Sequence, residues 1–112
     1  MPTMWKSLTI TEQTMKANLQ DITPGEILLE DYLTPLGLSQ NGAARLLDIP
    51  PRRLNEIVLG KRSITLDTSM RLGRLFGQNP RFWLDIQIDC DLRAAEKNLH
   101  EIERTIRPMA MA

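Results

Sequence analysis

The chain has 112 residues, 25% of them charged and 42% hydrophobic, which suits one small domain with a modest core and one extension. Its single cysteine, Cys90, excludes an internal disulfide framework, and no apolar run reaches the ~20 residues that span a bilayer. With no signal-peptide core at the N-terminus either, the expectation is a soluble cytoplasmic protein without a membrane partner.

The formal net charge is zero, yet the charge is unevenly placed. Residues 39–82 carry Arg45, Arg52, Arg53, Lys61, Arg62, Arg71, Arg74 and Arg81 against Asp48, Glu56 and Asp67, while the segments on either side are net acidic. A cationic centre in a neutral chain points to a polyanionic partner.

Residues 1–22 show no sustained apolar period and read as an N-terminal extension, either disordered or carrying one short turn around Met15 to Leu19. Thr23-Pro24-Gly25-Glu26 then has the form of a helix start, with Thr23 as cap, Pro24 at the first helical position and Glu26 closing a capping box. Leu28 with Tyr32, and Leu29 with Leu33, recur at four-residue spacing on this first helix, which should stop near Pro35 and Gly37.

Ser39 caps a second helix over residues 40–47, where Ala43, Ala44 and Leu47 share a face and the two small residues allow close helix approach. Asp48-Ile49-Pro50 must turn the chain, because proline biases the residue before it away from helical angles. Pro51 suits the first position of a third helix that buries Leu54, Ile57 and Val58 and stops at Gly60. Thr65 opens a fourth helix over residues 66–76, with Met70, Gly73 and Leu75 predicted inward and Gly77 as its stop.

Asn79 as cap and Pro80 as first residue predict a long fifth helix reaching Pro108, locked onto the bundle by Phe82 and Trp83. Along it Ile88, Leu92, Ala95, Leu99, Ile102 and Ile106 recur at alternating spacings of four and three, a heptad seam of roughly two and a half repeats. Such a helix spans roughly 40 Å at ~1.5 Å per residue, more than a four-helix core covers, so part of the seam should meet another chain, with a homodimer favoured. The expected architecture is all-α, with five helices and no strand. It divides into an extension (1–22), a DNA-binding domain (23–78) and a C-terminal helix (79–112).

Two short helices joined by a tight turn between Ser39 and Gly60 form a helix-turn-helix candidate, whose second helix would enter the major groove of double-stranded DNA. Its outward residues are Pro51, Arg52, Arg53, Asn55 and Glu56. Arginine matches guanine and asparagine matches adenine, which makes Arg52, Arg53 and Asn55 candidates for base reading. Glu56 either accepts from cytosine or pairs with Arg52 or Arg53 one turn away, the second being favoured. Ser39, Gln40, Lys61 and Arg62 flank that helix as candidate phosphate contacts.

The stretch from Thr23 to Leu92, with its Pro-Gly-Glu opening, "GLSQ", "EIVLGKRSIT" and "NPRFWLDIQ", resembles the HigA (VapI-like) antitoxins, a branch of the Xre helix-turn-helix group related to phage repressors. The resemblance implies a dimeric repressor of its own operator that neutralises a RelE-like, ribosome-dependent mRNA endonuclease. It places Gln40 at a phosphate contact and Arg52, Arg53, Asn55 and Glu56 at the reading positions. Asp48 stands where glycine is common in the turn, and aspartate tolerates left-handed angles better than most residues.

Two other readings remain: a stand-alone regulator without a toxin, and a protein-interaction adaptor using the motif as scaffold. An enzyme is disfavoured, because the sequence holds no phosphate loop and no metal-ligand spacing, and neither catalytic residues nor a cofactor or metal site are expected.

Overall fold

The computed structural model describes residues 22–111, and the turn considered around Met15 to Leu19 lies outside the described residues. Six helices follow one another, with no strand among the described residues: α1 (Pro24–Ile27, continuing as a π-helical stretch Leu28–Leu33), α2 (Gln40–Leu47), α3 (Pro51–Val58), α4 (Leu66–Phe76), α5 (Phe82–Ala94) and α6 (Glu96–Thr105). The all-α architecture is the expected one, with six helices in place of five.

The caps act as their residue types dictate. The hydroxyl oxygens of Thr23, Ser39 and Thr65 accept from the amides of Glu26, Gly42 and Thr68, each satisfying an N–H that its helix leaves unpaired. Asp48 ends α2 at φ 56°, ψ 48°, the left-handed conformation required by the turn, and its amide reaches back to Ala44 and Arg45. Gly77 ends α4 in the same region at φ 69°.

Leu28, Leu33, Ala43, Ala44, Leu47, Leu54, Ile57, Leu72 and Trp83 form one buried cluster. Leu28 and Leu33 are five residues apart, and the widened turn that closes with the Thr34 amide on the Leu29 carbonyl (2.9 Å) aligns them on one face. α1 crosses α3 almost backbone to backbone: a Cβ at Gly25 would fall on the Ile57 carbonyl oxygen and lie 2.8 Å from the Val58 Cα.

Trp83 seats α5. Its indole donates to Gln78 Oε1 (2.7 Å), Gln78 Nε2 donates to the Tyr32 hydroxyl (2.9 Å), and the Tyr32 and Trp83 rings meet edge to face at 5.0 Å. Gln87, also buried, accepts from the Ile64 amide (2.8 Å) and so holds the loop after α3 against α5. The "NPRFWLDIQ" stretch is therefore a clamp between the helix-turn-helix and the C-terminal part.

Four expectations are corrected. Met70 is 44% exposed, and the inward face of α4 consists of Thr68, Ser69, Leu72 and Gly73, because the helix meets the core along the 68/69/72/73 stripe. Phe82 stays 37% exposed at the edge of the aromatic group while Trp83 is fully buried. α5 begins at Phe82, with Asn79 Oδ1 accepting from the Arg81 amide two residues on and thus holding a turn before the helix. The single helix to Pro108 is interrupted at Ala95 (φ −98°, ψ 12°) and ends at Thr105. Arg107, placed before Pro108, is biased away from helical angles and helps to stop it.

The interruption divides the heptad seam between α5 and α6. Ile88, Leu92, Leu99, Ile102 and Ile106 are all 41% to 62% exposed, and α6 buries no residue within this chain. No helix among the described residues is long and apolar enough to cross a membrane.

Candidate nucleic-acid interface

α3 presents two contrasting faces. Leu54, Ile57 and Val58 are buried, and burying each side chain contributes roughly 1.5–3 kcal/mol, which fixes the rotation of the helix. That rotation leaves Pro51, Arg52, Arg53, Asn55 and Glu56 on the outer side, with the Arg52 side chain 87% exposed. Pro50 and Pro51 start the helix abruptly: Pro50 is extended at φ −62°, ψ 139°, and Pro51 occupies the first turn, where a missing amide hydrogen costs nothing.

The charges of this face are organised by two carboxylates. Glu56 accepts from Arg52 Nε through Oε2 (3.2 Å) and from Arg62 Nε through Oε1 (2.9 Å), so it pairs with Arg52 as favoured and also takes Arg62 from the following loop. Hydrogen bonds from Arg62 and then Arg52 hold the Glu56 carboxyl below its ordinary value. Both of its oxygens are engaged, which opposes a direct cytosine contact.

Arg53 is placed differently. Its Nη1 donates to Asp67 Oδ2 (3.1 Å) at the start of α4, leaving its side chain 31% exposed. The same Asp67 oxygen accepts from Arg71 Nε (2.9 Å), and Arg71 Nη1 donates to the carbonyls of Leu47 (3.0 Å) and Asp48 (3.2 Å) at the end of α2. The Asp67 carboxyl is held below its ordinary value, first by the Arg71 bond and then by that of Arg53.

The helix-turn-helix thus brings Arg52, Arg53, Asn55 and Glu56 together on α3. Lys61 and Arg62 lie in the loop just beyond it, with the Lys61 amide bonded to the Glu56 carbonyl at 2.8 Å. Ser39 and Gln40 stand at the start of α2, where the Ser39 oxygen is occupied as a cap while its O–H remains a donor. Ile88, Leu92, Ala95, Leu99, Ile102 and Ile106 lie apart from this group, on α5, α6 and the bend and cap residues of α6.

Sequence reading missed Asp67 and Arg71. Their spacing of four on α4 marks an ion pair in advance, but the Arg53–Asp67 contact joins residues 14 apart and exists only when α3 and α4 pack.

The helix-turn-helix family model matches residues 29–83, from α1 to the start of α5. Virulence-associated protein I of Dichelobacter nodosus is 46% identical over 87 residues, which are 78% of this chain and 81% of that protein. Among solved structures, an addiction module antidote protein of the HigA family from Coxiella burnetii is 42% identical and superposes with a TM-score of 0.71, covering 79% of this chain and 97% of that one. The Pseudomonas aeruginosa antitoxin HigA, solved with the higBA promoter, is 36% identical with a TM-score of 0.72, covering 80% of this chain and 98% of that one. With this fold, a helix-turn-helix match through its centre and relatives of this identity over at least four fifths of their length, the chain belongs to the HigA (VapI-like) antitoxin family of Xre-type helix-turn-helix DNA-binding proteins.

Proposed function

We propose that the chain is an antitoxin that binds its own operator as a homodimer, represses its operon and neutralises a RelE-like mRNA endonuclease produced beside it. The outer face of α3 carries this reading. Its buried side leaves Arg52 exposed and Arg53 and Asn55 half-buried on the outer face near the helix N-terminus, the part of a recognition helix that meets base edges. The Pseudomonas relative, whose structure includes the higBA promoter, supports the same role here.

In this reading Arg52, Arg53 and Asn55 contact bases, and Glu56 arranges Arg52 and Arg62 rather than reading a base itself. Ser39, Gln40, Lys61 and Arg62 hold phosphates on either side. The exposed ion pairs around Glu56 contribute only ~0–1 kcal/mol each, so they yield readily to phosphates. The seam from Ile88 to Ile106 joins two copies, and the two α3 helices then address half-sites ~34 Å apart or a multiple of that.

The test is an anisotropy titration of DNA from this gene's own upstream region against a scrambled duplex at several salt concentrations, with co-expression of the adjacent reading frame. Binding at least ~10³ tighter to the upstream duplex, falling steeply with salt, is the expected outcome. The adjacent product should also co-purify and lose its toxicity. Specific DNA binding without rescue would make the chain a stand-alone regulator, and equally weak binding to both duplexes would reduce the motif to scaffold.

A further inference from the structure

We infer that Asp67 is a positioning residue for sequence readout, fixing the Arg53 guanidinium for base contact and tying it to the turn of the helix-turn-helix. The inference rests on the DNA-binding reading above and adds a specificity-determining residue outside the recognition helix.

A single carboxylate oxygen joins three elements. Asp67 Oδ2 accepts from Arg53 of α3 at 3.1 Å and from Arg71 of α4 at 2.9 Å, and Arg71 closes on the Leu47 and Asp48 carbonyls at the end of α2. The Arg53 guanidinium is therefore located relative to both helices of the motif. Arginine has five N–H donors in a rigid fork, and the bond to Asp67 uses one hydrogen on Nη1, leaving donors for a base edge.

A long side chain held before DNA arrives has less rotamer freedom to lose on binding. Arg52 makes the contrast: at 87% exposure it pairs with Glu56 of its own helix, and among the described residues no polar contact anchors it on another helix. A stabilising role for Asp67 is secondary, because its side chain is 53% exposed and ion pairs at such sites contribute little.

The role predicts a split between specific and non-specific binding. In Asp67→Asn, affinity for the upstream duplex should fall about twofold to tenfold, the range set by having to order one long side chain on binding. Affinity for a scrambled duplex should hold or rise slightly, since one anion has left a phosphate-facing surface. Discrimination should relax at the same base pair that Arg53→Ala relaxes, and Asp67→Asn should add nothing in the Arg53→Ala background.

Asp67→Ser serves as a second variant should the asparagine disturb folding, with thermal melts reporting on the fold of each. Equal losses on both duplexes, or an Asp67→Asn effect that persists undiminished without Arg53, would overturn the inference. A wild-type chain that discriminates while Asp67→Asn discriminates equally well would overturn the role of Asp67 alone; a wild-type chain that fails to discriminate would overturn the DNA-binding reading and this role with it.

Discussion

At the residue scale, the two neighbouring arginines of α3 differ in what holds them, and the difference decides what each mutation should do. Arg52 projects into solvent and, among the described residues, makes its polar contact with Glu56, so removing it costs the fold almost nothing. Arg52→Ala is expected to keep its melting temperature and to weaken operator binding by ~1–3 kcal/mol, read by anisotropy on specific and scrambled duplexes side by side. A loss of the same size on both duplexes would make Arg52 a phosphate contact instead. The Arg52–Glu56 pair was legible in the sequence, because residues four apart on a helix are neighbours. Arg62 as a second partner of Glu56 was not, since it depends on how the loop after Gly60 folds back.

At the element scale, caps and stops carried most of the legible information. Thr23, Ser39 and Thr65 start helices and Gly77 stops one because short polar side chains and glycine solve local hydrogen-bonding and backbone problems without tertiary help. The π-helical turn over Leu28–Leu33 and the interruption at Ala95 had no such local marker; four-residue spacing in the first and alternating four- and three-residue spacing in the second suggested ordinary helix. Gly25 shows the price of close packing between elements. Gly25→Ala puts a methyl group against the α3 backbone at Ile57 and Val58, neither of which can move without shifting α3. The expected cost is ~1–3 kcal/mol in chemical denaturation, with operator binding weakened through displacement of α3. An unchanged denaturation midpoint would mean that α1 slides freely over α3.

At the scale of the whole molecule, one end is a packed bundle and the other offers an uncovered apolar face. Leu92, Leu99, Ile102 and Ile106 remain exposed within the single chain, although they follow a regular pattern in the sequence. Leu99→Asp with Ile102→Asp should leave the melting of the bundle unchanged, because α6 buries nothing there, and should shift sedimentation from dimer to monomer at micromolar concentration. Operator affinity should then fall about 10²–10⁴-fold, as two linked half-site contacts become one. A dimer that survives both substitutions would place the self-contact elsewhere.

The sequence by itself determined the helix class, the caps at Thr23, Ser39 and Thr65, the helix-turn-helix and the surplus of cations at its centre, because each follows from spacings of a few residues. Only the tertiary structure decided which face of α4 is buried, that Phe82 sits at the edge while Trp83 fills the core, and that Arg53 leans on Asp67. Those outcomes depend on how helices distant in sequence settle against one another. The angle and depth of such contacts come from the shape of the whole core, which no local period encodes.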